Sequence, residues 1–431
     1  MNENRKSYVG ALVIVCVLFF FFGFMTWVNG VLIPYFQICL ELSNFQASLV
    51  MFAAYSAYFV VALPSAWVLK GTGYKKGMVL GLVVMAVGTL TFVPAAYTRT
   101  YGIFLFGLYL TGTGLTLLQA AANPYIAVIG PIESTAQRVG FLGLSNKIAG
   151  IICISLLGSI FLVNADDVIA QIQGLDAVQK AVLLDEYALK IVDPYLIITG
   201  ALLVMSLVIY FSKLPEIDDS KSSVEGEMIA LRKNIFQYPH LMLGVVTLFL
   251  ASACEMIPID SVIIYGRAIG LTIAEARQFP TYGLVAMLFG YMASIVLIPK
   301  YVSQQRALQF SAVWGIAFMA GAYFTGGVTS LYCMVLTGFG TALLWGTIWG
   351  LALRELGAFT KVGGAMLLMA LIGGAIFPVV FGTLIDANPD TPQAAVLMMI
   401  PLYLGILSYS SWGYKVNRWG KFPVKTKELV S

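Results

Sequence analysis

Lys147, Glu255 and Asp260 are charged residues deep inside stretches that are otherwise almost wholly apolar. A charge at the centre of a bilayer costs roughly 2.5–3.5 kcal/mol on the most lenient insertion scale. Residues that bear this cost face a partner or a water-filled path for an ion or solute. Glu255 and Asp260 flank Pro258, and a proline inside a helix removes a backbone hydrogen bond and kinks it. A kinked helix with two carboxylates is a candidate cation site, and hard oxygens suit H⁺ or Na⁺ better than a transition metal. Asp260 lies closer to the outer end, where water can solvate it, so Glu255 is the stronger candidate. Lys147 follows Arg138 by nine residues, roughly 14 Å of helix, which places it near the midplane. Two readings fit Lys147: a structural ion pair between helices, or a cavity cation whose state changes as the protein works.

Uncharged polar residues form a second group. Gln119 and Asn123 are four apart and share a helical face. Two carboxamides there offer donors and acceptors to a neutral polyol, or bridge neighbouring helices. Asn29 precedes Pro34, which loosens the helix and frees backbone groups to line a cavity. Trp27 suits either an interfacial belt or stacking on a sugar ring. Trp345, Thr347 and Trp349 share one segment, and a Trp face packs equally well on sugar C–H groups or in a core. The one histidine, His240, reads as a polar residue at a membrane edge. Cys16, Cys39, Cys153, Cys254 and Cys333 are scattered without a CxxC pair, which indicates neither a disulfide framework nor a metal centre. No Cys/His/Asp constellation or phosphate loop points to an enzyme, and no cofactor is expected.

The elements that must position these residues are membrane spans. The chain is 59% hydrophobic and 11% charged, against about 25% charged in soluble domains. No Asp, Glu, Lys or Arg occurs between Lys6 and Glu41, and about 20 apolar residues suffice to cross a bilayer. That run exceeds a signal-peptide core of about 7–15 residues, so the first span is expected to stay as an anchor. Hydropathy and turn clusters predict an all-α membrane protein of twelve spans, near 9–36, 44–69, 77–97, 101–129, 138–163, 193–212, 239–266, 279–299, 307–325, 329–353, 362–385 and 392–413. The acidic, partly helical segment 164–192 and the densely charged segment 213–238 are the longer connections. The expected division is a six-helix bundle over 1–213, a cytoplasmic linker over 214–238, and a second bundle with a tail over 239–431.

Nineteen Lys and Arg fall on the side of the N-terminus; five (Arg99, Lys180, Lys190, Arg267 and Arg277) fall on the other. Positive charge marks the cytoplasmic side, so both termini are expected there. The two halves also repeat. Leu110–Leu118 reads LTGTGLTLL and Leu336–Leu344 reads LTGFGTALL, in spans four and ten. Arg138-Val139-Gly140 opens span five as Lys361-Val362-Gly363 opens span eleven. Parallel six-span halves with inverted repeats inside are the plan of the major facilitator fold, and the glycines let helices approach closely.

The motifs Asn29-Gly30-Val31-Leu32-Ile33-Pro34, Leu118-Gln119 through Asn123-Pro124-Tyr125, Gly130-Pro131-Ile132-Glu133-Ser134 and Asn146-Lys147-Ile148-Ala149-Gly150 resemble the fucose/galactose/glucose branch of the major facilitator superfamily. Glu255, Asp260 through Gly266, and Leu356-Gly357 through Gly373-Gly374 and Pro378 fit the bacterial glucose/galactose transporters in that branch. The fucose–proton symporters carry an aspartate at the position of Gly30 and a glutamate at that of Gln119, so coupling by their route is in doubt here. The resemblance implies an importer of a hexose such as glucose or galactose, working by alternating access, H⁺- or Na⁺-coupled, in a bacterial inner membrane. The expected substrate set is Asn29, Gln119, Asn123, Asn146 and Trp345. Lys147, Glu255 and Asp260 are the coupling-ion or charge-partner set, with no metal. Sugar and lipid bilayer are the expected partners, with no nucleic acid, for a monomer. A drug or metabolite exporter of the same fold, or a non-transporting sugar sensor, are the alternatives.

Overall fold

The computed structural model describes residues 2–128, 135–212, 214, 234–298, 300–356, 359–417 and 419. Among these, all regular structure is helical, and twelve segments are long and apolar enough to cross a membrane. Lipid offers no partners for backbone N–H and C=O groups, so long apolar runs satisfy them internally as helices. Most of the charged segment at 213–238 lies outside the described residues, as do Glu133 and the side chains of Asn123, Arg138 and Lys361. Local chemistry sets several span ends. Ser43 and Gln46 form a capping box at the start of span two (Asn44–Thr72). Gly73, at φ 77°, alone joins it to span three (Tyr74–Thr98), a left-handed turn that favours glycine.

Several spans are interrupted, one and seven as their prolines predict. Span one is Asn2–Trp27 followed by Asn29–Cys39. Pro34 has no N–H for the carbonyl of Gly30, and the helix breaks at Val28, six residues upstream. Span seven is Pro239–Asp260 followed by Val262–Ala268, with Pro258 just before the break. Span ten is Gly327–Thr341 and Leu344–Ala352. Span eleven passes through a 3₁₀ turn at Ala370–Ile372 between Thr360–Met369 and Gly373–Ala387. The acidic segment after span five is partly helical, as expected. It contains helices Ala165–Ile172 and Ala177–Leu189. Tyr35 of span one donates to the carbonyl oxygens of Tyr187 and Ala188, at 2.7 and 2.8 Å, and so anchors the second helix.

The internal repeat has a direct packing counterpart. A Cβ at Gly112 of span four would lie 2.0 Å from the Ala54 carbonyl oxygen of span two. At the matching Gly338 of span ten it would lie 2.6 Å from the Gly283 carbonyl oxygen of span eight. The next glycines repeat the rule: Gly114 presses on Met85 of span three and Gly340 on Trp314 of span nine. Each glycine therefore meets the span six places on from its counterpart's neighbour, as two related six-helix halves require. Contacts between halves obey the same two-fold relation. Span two packs on span eleven, where Gly382 meets Ser48. Span five packs on span eight, where Gly143 meets Tyr291. Span one meets span seven at Gly30 and Asp260.

Gly112→Ala is expected to lower stability by about 1–3 kcal/mol, because the backbone of span two cannot yield to an added methyl. Gly200→Ala, which meets nothing within 4 Å, is the neutral control. Thermal unfolding of the purified protein in detergent reads both.

Candidate central site

The broken helices of spans one and seven meet span five around Lys147. The Lys147 side chain is 4% exposed, and its Nζ lies 2.9 Å from Oε1 of Glu255. The same Nζ sits 4.0 Å above the ring centroid of Trp27 and 5.7 Å from that of Tyr291. An ammonium over an indole face is attracted by the ring quadrupole, by about 2 kcal/mol when desolvated. Trp27 is itself fixed: its Nε1–H donates to Oδ1 of Asn146 at 3.0 Å. Glycines bring these helices together. A Cβ at Gly23 would meet the Asn146 carbonyl oxygen at 2.2 Å, and one at Gly150 would meet Cδ1 of Trp27 at 2.5 Å. Trp27 is therefore neither a belt residue nor an open stacking platform. It is buried as the support of the lysine.

Asp260 departs from the expectation that water solvates it. Its exposure is 0%. Span seven continues past it as Val262–Ala268, and span one closes over it. A Cβ at Gly30 would lie 3.3 Å from Oδ1. The Gly30 N–H faces the carboxyl without reaching hydrogen-bond geometry, and neither oxygen has a hydrogen-bond partner.

The neutral candidates divide among three places. Asn146 joins the charged cluster, with its oxygen held by Trp27. Asn29 is buried in the N-terminal half and reaches the Thr26 carbonyl at 3.5 Å. It lines a narrow cavity with Thr26, Tyr55, Tyr58 and Thr111. Gln119 is buried on span four with Oε1 unpartnered. Asn123 lies one turn on, with its side chain outside the described residues. Trp345 of span ten is half-buried, its ring 5.2 Å from that of Trp349. Trp349, whose place in the repeat matches Asn123, has a buried indole N–H without a partner. Among the described residues, no hydrogen bond or ring contact joins Gln119 or Trp345 to the charged cluster, and no group of three His, Cys, Asp or Glu is poised for a metal ion. Two tyrosines escaped sequence reasoning. Tyr55 donates across the halves to Sδ of Met256 at 3.0 Å, and Tyr291 flanks Lys147. Mid-span tyrosines look like core filling, so no sequence signal marks them.

The end of the bundle opposite Asn2 is sealed by polar bonds between halves. Asp386 accepts from the Asn44 side chain and from Phe45 N. Asp166 accepts from Ile273 N and Ala274 N at 2.9 and 2.8 Å. Arg267 donates to Gln37, which donates in turn to Asn44.

A family model described as Major Facilitator Superfamily matches residues 15–378. The chain belongs to this superfamily. It is 30% identical over 419 residues to a protein of Brucella abortus named glucose/galactose transporter, covering 96% of each chain. It is 28% identical to the L-fucose-proton symporter of Escherichia coli, covering 91% of each. A crystal structure of the E. coli fucose:proton symporter superposes with a TM-score of 0.72 at 26% identity, covering 94% of this chain and 98% of that one. Members of the superfamily hold their solutes near the midplane between two halves that rock, and the Lys147–Glu255 pair joins the two halves here.

Lys147→Met leaves Glu255 an uncompensated charge and is expected to cost about 3–5 kcal/mol. Adding Glu255→Met should restore most of that stability. Thermal unfolding of the two single variants and the double variant checks this non-additivity.

Proposed function

We propose that this chain carries a hexose such as glucose or galactose across a bacterial inner membrane by alternating access. The driving force is a gradient of H⁺ or Na⁺. The observation that carries the reading is likeness to glucose/galactose transporters over 96% of the chain, joined to charged residues buried where the two halves meet. Gln119 and Asn123 from span four offer carboxamides to sugar hydroxyls, whereas Asn29 and Asn146 lie apart from them, one on the N-terminal cavity and one in the charged cluster. Trp345 offers an aromatic face, and Trp349 an indole N–H. Buried polar atoms without partners are costly, and a polyol is the kind of ligand that satisfies Gln119 Oε1 and Trp349 Nε1. The positive-charge bias puts both termini and the 214–238 linker in the cytoplasm, so the sealed end faces outward. The chain works as a monomer, because each half already finds its partner within one polypeptide.

Uptake of labelled hexoses into proteoliposomes, with Na⁺ and pH gradients imposed separately, tests this. One or two hexoses are expected to accumulate, and Gln119→Ala to reduce their uptake at least tenfold. Uptake unchanged by Gln119→Ala would remove the sugar-site assignment. Sugar binding without flux would instead make the protein a sensor.

A further inference from the structure

We propose that Asp260, not Glu255, carries the coupling ion, and that this ion is a proton. The inference rests on the transport reading above and names the group within it. Two carboxylates lie on span seven, five residues apart or roughly 7.5 Å of helical rise. Their surroundings differ. Glu255 has its counter-ion at 2.9 Å in Lys147, itself held over the Trp27 ring. That pair is complete and neutral. Asp260 is fully buried with two unpartnered oxygens. A carboxylate buried without a partner is costly to keep charged, and real proteins neutralise the group instead. Lys147 is committed to Glu255, so a neutralising ion has to come from outside the protein.

The geometry selects the ion. Na⁺ needs several oxygen ligands around it. Near Asp260 the structure offers an N–H at Gly30, the Ile259 carbonyl oxygen and the Tyr55 hydroxyl, too few oxygens to surround Na⁺. A proton needs only one carboxyl oxygen. The charged and titratable groups facing Asp260 are Glu255 on its own helix, Lys147 from span five and Tyr55 from span two. Tyr291 from span eight faces Glu255 instead. With the proton on, the Lys147–Glu255–Asp260 set has no net charge and the halves close over it. With the proton off it carries one negative charge, which closure would strand. Closure therefore follows proton uptake. The step is the forming and breaking of one O–H bond at Asp260: a proton arrives from water on one side and leaves to water on the other. Gly30 is the lid of this site, because any side chain there would press on Oδ1.

The test uses the full chain in proteoliposomes. Infrared spectra of the wild type at neutral pH should show the carbonyl stretch of a protonated carboxyl. Asp260→Asn should remove that band and Glu255→Gln should keep it. Hexose added to the wild type should raise the external pH as protons enter with sugar, and Asp260→Asn should cut that signal at least tenfold. A matching melting temperature shows that the variant is folded. Should it misfold, Gly30→Ala serves instead, and should shift the pH at which the band appears. The proposal is overturned if the band is missing from the wild type or persists in Asp260→Asn, or if accumulation follows Na⁺ alone. A wild type that moves no hexose would refute the sugar reading, while the band would still decide the protonation of Asp260.

Discussion

The ion pair between Lys147 and Glu255 is the constraint around which the interior is arranged. Two opposite charges deep in a low-dielectric interior attract strongly, yet their desolvation cancels much of the gain. Such a pair persists only when its geometry is held. Here the holding is visible. Trp27 lies beneath the ammonium, Asn146 fixes the indole, and Gly23 and Gly150 let spans one and five close on each other. The pair joins the N-terminal half to the C-terminal half, so it also sets the register in which spans one, five and seven cross.

The breaks in spans one and seven are the complement of that rigidity. Each helix carries a proline near its break, and each break lies beside the other. Cavity-lining backbone is tolerated in a membrane only where protein or water covers it. The two interrupted helices cover one another, Gly30 against Asp260. The same contact that satisfies the fold leaves a carboxyl with no partner of its own.

Much of this was legible in the sequence because membrane insertion imposes coarse rules. Apolar run length announced the twelve spans, and the repeat around Gly112 and Gly338 announced the symmetry. The costly charges announced the centre. What was not legible depends on rotation and cover rather than position. Asp260 reads as solvated by its distance along span seven, but distance does not show that span one lies over it. Trp27 has the composition of a belt or sugar-stacking residue, and only its bond to Asn146 shows a third use. The partly helical character of 164–192 was legible too, and the helices Ala165–Ile172 and Ala177–Leu189 are its outcome. Tyr55 and Tyr291 carry no pattern that separates them from packing residues.

The seal at the end opposite Asn2 has a kinetic meaning. It is made from Asp386 and Asp166 accepting backbone N–H groups, and from the Arg267–Gln37–Asn44 chain. Half of these bonds are exposed, where water can replace a partner, and the others are part-buried. A hydrogen bond exchanged for water is worth only about 0.5–1.5 kcal/mol net. Such a latch resembles a zipper that thermal motion opens tooth by tooth. It sets no deep resting state, and it leaves the direction of net movement to the concentrations on either side.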